Sequence, residues 1–312
     1  MGWQAASVLG WIQRRCLVEL VLSAWQIPPS FLEAALNIPW RLKSSAFSII
    51  DIVGEEPLYF AQKYITRRAS SRGLAISPNW LFHQNVIREN GAKRVLEFGA
   101  GKDLVQNLFL SQEGIDQVAV DLFDMLDIDL VNKAIVNLDA KGIPMKGAVS
   151  DRTDLKSKYR IEFIAPLDMC STQFNSASFD LCISTNTLEH IPRDVIQKIW
   201  TECSRILKPD GLVSAKIDYS DHYWHTDKSI GELNYLKFSE KEWSRFNHRN
   251  HYQNRLRHKH HLDLLREAGF AIVSDRVEDA VKVEHDVNAE NMTGDATDYA
   301  LTGFVVARNV GV

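Results

Sequence analysis

Cysteine is scarce and scattered in this chain. Its four cysteines, Cys16, Cys170, Cys182 and Cys203, form neither a CxxC pair nor the spacing of a zinc cluster. Reduced, mostly buried thiols in a cytoplasmic protein are therefore expected. Positive charge is not in excess either. With 36 Lys and Arg against 40 Asp and Glu, the formal charge is -4, which argues against non-specific nucleic-acid binding, because that needs basic surface to displace counterions. Long apolar runs are also missing. The most apolar stretch, 16–27, contains Glu19 and closes at Pro28-Pro29, too short to span a bilayer. Residues 1–10 lack the basic start of an export signal. Stable membrane insertion is not expected, and the cytoplasm is the expected location. No internal repeat and no low-complexity tract occur.

The 312 residues, 45% hydrophobic and 24% charged, suit one large globular domain, or one domain plus an appendage. Near the start, Val8, Ile12, Cys16, Leu20 and Ala24 recur at helical spacing, with Gln13, Arg14, Arg15 and Glu19 between them. This amphipathic helix should pack on the protein's own body. Peripheral membrane contact and a subunit interface are its alternatives, so homo-oligomers built through the N-terminal helices are one expectation. Residues 1–90 as a whole look like a helical N-terminal extension broken by Pro and Gly.

From Arg94 the texture becomes strand–helix alternation. Expected strands are 94–98, 117–121, 161–164, 179–184, 212–217, 270–274 and 302–307, with helices after most of them; 140–160 looks like a polar excursion. Residues 219–254 are long, polar and aromatic, which predicts a lid-like insertion rather than a simple crossover. Short links between alternating strands and helices imply a doubly wound, mostly parallel sheet over 91–312. Ligands in such folds bind beyond the carboxyl ends of the strands, and the motifs below all fall there.

The first such end is Glu97-Phe-Gly99-Ala100-Gly101-Lys-Asp103. Two glycines let the backbone approach a ligand closely. A dinucleotide fingerprint would want a third glycine at 104, where Leu104 stands. A carboxylate two positions before the first glycine suits a ligand bearing an ammonium or sulfonium better than a pyrophosphate. Asp121, ending the second strand, is placed to grip ribose hydroxyls.

Here the chain resembles the class I S-adenosylmethionine-dependent methyltransferases over about residues 92–308. VLEFGAG resembles the family's first motif, VAVD its ribose-binding strand end, and PLDM its adenine-contacting acidic segment. FDLCISTNTLEHI, followed by a helix and LKPDG, is the most specific piece. The resemblance implies a seven-stranded Rossmann-like sheet and S-adenosylmethionine as cofactor. It places Glu97, Gly99 and Gly101 around the methionine moiety, Asp121 on the ribose, Asp168 near the adenine amino group, and Asn186 and Thr187 near the methyl donor. Ala100, Leu122 and Met169, in the same segments, complete the expected cofactor set. Asp103 replaces the family's usual small loop residue, and can cap the following helix or bind the ligand amine.

Methyl transfer from a sulfonium is an in-line displacement that depends mainly on positioning, though an acceptor must also lose its proton. His222, in the run Asp218 to Asp227 just past the fifth strand, is the expected base or orienting group, its ring oriented by Asp218 or Asp221. Asp221, Tyr223, His225 and Arg249 are the expected acceptor-binding residues. His190, in the family phrase, is expected to pack structurally. The basic run Arg245 to His261 is either a solvated helix face or a site for an anionic acceptor. The set His222, His225 and Asp227 fits no ligand rule strongly, so no metal is expected. The function these features favour is methylation of a small molecule or glycan precursor, at oxygen rather than nitrogen. The alternatives are a nicotinamide oxidoreductase on a related sheet and an inactive cofactor-binding partner subunit.

Overall fold

The strands Arg94–Phe98, Asp116–Val120 and Phe179–Thr185 are short, mostly apolar and mostly buried on both faces. That is the signature of parallel strands covered by helices on each side. The computed structural model describes residues 38–53, 76–281 and 287–311. The amphipathic segment predicted around Val8 to Ala24 lies outside the described residues. In chain order the elements are α1 (Trp40–Val53), α2 (Pro78–Asn90), β1 (Arg94–Phe98), α3 (Val105–Leu110), β2 (Asp116–Val120), α4 (Ile128–Asp139), α5 (Arg152–Tyr159), β3 (Ile161–Ile164), β4 (Phe179–Thr185), α6 (Arg193–Ile206), β5 (Leu207–Asp218), α7 (Glu240–Trp243), α8 (His258–Glu267), β6 (Phe270–Glu278) and β7 (Thr302–Asn309).

The seven strands run in the order β3-β2-β1-β4-β5-β7-β6. β7 is antiparallel to both β5 and β6, and the other pairs are parallel. Strand order reverses between β1 and β4, which makes the carboxyl ends of those two strands the place for a ligand. Alternation along the strands feeds two cores. Leu96, Phe98, Val118 and Val120 face α6, whose stripe Ile196, Ile199, Trp200, Cys203 and Ile206 is buried. Val95, Ala119, Leu181 and Ile183 pack on the other face with Leu108 of α3 and with Val131, Ala134, Ile135 and Leu138 of α4.

Two differences from the sequence-based expectation have physical causes. The polar excursion contains α5, which starts where Asp151 accepts the amide of Asp154 and buries only Leu155 and Tyr159. So little apolar surface leaves almost no periodic signal. Strand β5 begins at Leu207 rather than 212, because Phe179 pairs with Leu207 across an irregularity in the register. The helices described before residue 90 pack against the rest of the chain. Trp80, Val86 and Ile87 of α2 belong to the same core as β1. Trp40 of α1 belongs to a third core with Tyr223, Leu233, Tyr235, Leu236 and Trp243 of the insertion. Among the described residues, no helix is long and apolar enough to cross a membrane.

His83 ties α2 to the sheet. It is fully buried, with Nδ1 2.8 Å from Ser214 Oγ and Nε2 2.9 Å from Thr185 Oγ1. Burial lowers its pKa from 6.5 to about 3. An imidazole that stays neutral when folded but titrates when unfolded contributes fully above pH 6.5, and that contribution is lost as pH falls towards 3. Each such group adds a slope of up to about 1.4 kcal/mol per pH unit. His83→Gln keeps a hydrogen-bonding side chain and removes the titration. Urea unfolding between pH 7 and 5 should therefore show the parent losing stability faster than the variant, and parallel losses would exclude His83 as the source.

Candidate active site

The loop after β1 is shaped by backbone constraints. Gly99 and Gly101 have φ of 71° and 73°, a region open to glycine at little cost. A Cβ on Gly99 would stand 2.3 Å from Thr187 Cγ2, so the loop and the end of β4 are pressed together here. The Gly99 and Ala100 amides donate to the Val120 carbonyl at 3.0 and 3.2 Å, stitching the loop to β2. Leu104, where a third glycine was missing, nevertheless adopts φ 48°, and its side chain is buried. A leucine in this region costs roughly 1–2 kcal/mol, which the buried side chain offsets. Asp103 Oδ1 accepts the Val105 amide at 3.2 Å, so it caps α3.

Asp121 stands beside this loop, its Oδ2 accepting the Gly101 amide at 3.0 Å and its Oδ1 the Phe123 amide at 3.2 Å. Next to it, Leu122 and Phe123 are 55% and 57% exposed, an unusual state for two adjacent large apolar side chains. A Cβ on Gly101 would meet nothing within 4 Å. Open room at Gly101, a ribose-reaching carboxylate and an apolar shelf fit S-adenosylmethionine, the ligand the sequence resemblance implies. Glu97 has a different place. Its carboxyl is buried and accepts Gln106 Nε2 at 2.7 Å and Asn107 Nδ2 at 2.8 Å. Burial pushes its pKa up to about 7, against the pull of those two hydrogen bonds. It anchors α3 beneath the loop. Asp168 is exposed, and its Oδ1 accepts the Cys170 amide at 2.8 Å, a turn cap, while Met169 is buried in the core. Asn186 adopts φ 51° and accepts Lys216 Nζ at 2.6 Å.

Beyond the ends of β4 and β5 lies a cluster of titratable side chains. Asp218 Oδ2 is 3.9 Å from His222 Nε2 and 3.8 Å from His225 Nε2. The His222 ring centre lies 4.8 Å from that of His190, 5.4 Å from His225 and 6.1 Å from His251. Burial, reinforced by His190, lowers the His222 pKa to about 3, and burial and Lys43 bring His251 to about 2. Glu189 is buried; loss of solvent, with Asp218 adding to it, raises its pKa to about 8. A cavity of about 280 Å³ lined by Asp180, Lys208 and Arg308 lies at the opposite, amino-terminal end of the strands, away from this chemistry.

The expected acceptor residues divide. His222, His225 and Asp218 come together. Asp221 and Tyr223 lie apart from them, both buried within the insertion's own packing. Asp221 accepts the Tyr223 amide and Asn234 Nδ2, and the Tyr223 hydroxyl donates to the Phe246 carbonyl. A chain that must cover its backbone donors uses a nearby Asp for that purpose before any ligand does. Arg249 is exposed, and its backbone amide meets Asp51. Asp227 accepts the Trp40 amide instead of joining the histidines. In the basic run, Arg255 and Arg257 are buried and serve backbone carbonyls, Arg257 reaching Asp298, Tyr219 and Ala300. Sequence reasoning overlooked Glu189 and His251. The adjacency of Glu189 and His190 just past a strand end was the available signal.

Two substitutions test the donor side. Asp121→Ala should weaken S-adenosylmethionine binding by about 1.5–3 kcal/mol, the range for losing a charged hydrogen-bond acceptor, with a small drop in the melting transition from the freed Gly101 and Phe123 amides. Gly99→Ala should abolish binding and lower stability together, because it meets Thr187 and forces φ positive on a side chain. Calorimetric titration and thermal unfolding of both variants decide these points; full affinity in Asp121→Ala would remove it from the site.

Residues 96–215 match the family model described as a methyltransferase domain. Among solved structures, an S-adenosylmethionine-dependent methyltransferase from Methanosarcina mazei is 16% identical over 76% of this chain and 99% of its own, with a TM-score of 0.46. A protein from Pyrococcus horikoshii is 15% identical over 73% of this chain and 87% of its own, with a TM-score of 0.43. A geranyl diphosphate methyltransferase, solved with that diphosphate and sinefungin, is 9% identical over 73% and 77%, with a TM-score of 0.41. None of the curated proteins matches the chain. The matched segment runs from β1 to β5, and over it the chain carries a methyltransferase domain.

Proposed function

We propose that this methyltransferase acts on a hydroxyl of a small molecule or glycan precursor. Supporting this is the polar cluster past β4 and β5, where Asp218, Glu189 and neutral histidines stand under an insertion that folds with its own apolar core. A discrete acceptor can be enclosed there, whereas a nucleic-acid strand needs an open basic surface. The net charge of -4 points the same way. The free thiols of Cys170, Cys182 and Cys203 accord with a cytoplasmic setting.

In this reading Asp121 and the glycine loop hold the donor while Thr187, pressed against Gly99, fixes the wall between donor and acceptor. Positioning supplies most of the rate in such a displacement. His222 is neutral at physiological pH and can accept a hydrogen bond from an acceptor hydroxyl. With a pKa near 3 it binds a proton weakly, so as a lone base it is poorly matched to an alcohol. Asp218 stands close enough to share the proton.

The test is a screen with radiolabelled methyl donor across hydroxyl, amine, protein and RNA acceptors. Label should appear in hydroxyl-bearing small molecules, and label in an amine, protein or RNA alone would overturn the reading. On the acceptor so found, His222→Gln should lower turnover at least about tenfold while calorimetry shows donor affinity intact.

A further inference from the structure

We propose that Glu189, His190 and His222 form a binding site for one divalent transition-metal ion at the lip of the methyl-donor cleft. One ligand atom from each of the three side chains lies within 4.8 Å of the other two. Around a tetrahedral ion with bonds of about 2.0–2.2 Å, ligand atoms stand roughly 3.3–3.6 Å apart, so side-chain adjustment of about 1 Å closes the set. The second observation is electrostatic. Glu189 is 2% exposed, yet its Oε2 has no hydrogen-bond partner. A buried carboxyl oxygen without a partner is costly, and a bound cation is a partner that removes this cost.

The surroundings complete the set. His190 Nδ1 lies 3.0 Å from the Tyr252 carbonyl oxygen. That contact selects the tautomer with hydrogen on Nδ1 and leaves Nε2 as a ligand, the outer arrangement common to metal-bound histidine. Asp218, 3.9 Å from His222 Nε2, places a second carboxyl group beside the site. Two cations also bear on the site. Lys43 donates to the His222 carbonyl oxygen and Lys216 to Asn186, so each ammonium is engaged beside the cluster rather than within it. Two imidazoles and one carboxylate select Zn²⁺, Co²⁺ or Ni²⁺ over Mg²⁺ or Ca²⁺. Three protein ligands leave a coordination position open.

The open position assigns the ion a task, and this part rests on the hydroxyl-acceptor reading above. A hydroxyl bound to the cation has a lowered pKa, so it needs no strong base, and His222, as a ligand, is not required to act as one. The hydroxyl proton passes to Asp218, the hydroxyl oxygen forms the new bond to the methyl carbon, and the carbon–sulfur electrons stay on sulfur as the thioether.

Binding can be read without donor or acceptor. Full-length protein stripped with a chelator and dialysed is titrated with Zn²⁺ by calorimetry, with Mg²⁺ as the comparison, and with Co²⁺ followed by its visible absorption. One Zn²⁺ per chain is expected, no Mg²⁺ heat, and a Co²⁺ spectrum of tetrahedral intensity. Glu189→Gln, His190→Ala and His222→Ala should each weaken Zn²⁺ at least tenfold and remove the Co²⁺ bands, whereas His225→Ala keeps both. His190 is exposed, so its variant tests the site even if a buried change disturbs folding. No Zn²⁺ binding by the parent, or binding unchanged in His190→Ala, overturns the proposal. Because no methyl transfer is measured, a metal site can stand or fall apart from the identity of the acceptor.

Discussion

A buried carboxyl group under the cofactor loop is the constraint on which this structure depends. Glu97 closes β1 with both oxygens satisfied by amides of α3, and Gln106 passes the connection on to Thr185 Oγ1 at 3.0 Å. Thr185, at the end of β4, meets His83 of α2, whose other nitrogen meets Ser214 of β5. One chain of hydrogen bonds thus joins β1, α3, β4, α2 and β5 immediately below the donor site. In a low-dielectric interior such a network fixes geometry strongly, because breaking any link strands a polar group without water. Burial raises Glu97 and lowers His83, so both tend towards their neutral forms. The network therefore carries less net charge than its residues suggest. It also sets the distance between Gly99 and Thr187, which have no slack between them.

The acceptor side is built differently. The insertion 219–254 has few regular elements and is held by aromatic packing and two buried guanidinium groups. Trp40, Tyr223, Trp243, Phe238 and Phe246 pack ring against ring, and each such pair adds roughly 0.5–1.5 kcal/mol beyond its buried area. Arg257 donates to the carbonyls of Tyr219, Asp298 and Ala300, and so joins the start of the insertion to the segment entering β7. A planar group with five donors suits converging carbonyls that no strand partner satisfies. Segments far apart in sequence are thereby locked over the strand ends that carry Asp218 and Glu189.

The donor half was legible in the sequence because its signals are local. Strands β1, β2 and β4 are short apolar runs that end in Gly99, Asp121 and Asn186, where period and punctuation agree. The acceptor half was not, since burial in an irregular insertion depends on contacts between distant residues. Asp221 and His222 are neighbours in one polar run, yet Asp221 is consumed by the turn at Tyr223 while His222 points among other histidines. Likewise Arg249, Arg255 and Arg257 look alike in sequence, but one is exposed and two serve buried carbonyls. Composition identifies a polar loop; only packing decides which of its polar groups remain for a ligand. Glu97 shows the converse case. Its spacing from Gly99 marked the motif correctly, while its carboxyl faces α3 rather than open room.

The apolar covering of the insertion also determines what the acceptor histidines are. By excluding water it makes protonation unfavourable, and each neighbouring imidazole adds repulsion to any charge that forms. His222 and His251 are therefore neutral groups with lone pairs at physiological pH, not cationic clamps. Negative charge on an acceptor would instead be met by Lys43 and Lys216, which approach from α1 and β5. A neutral imidazole can accept a hydrogen bond or bind a metal, but it gives an anion no full positive charge. On the proposed hydroxyl-acceptor reading, the acceptor would present its hydroxyl to neutral imidazoles, an orientation set by burial rather than by residue type alone.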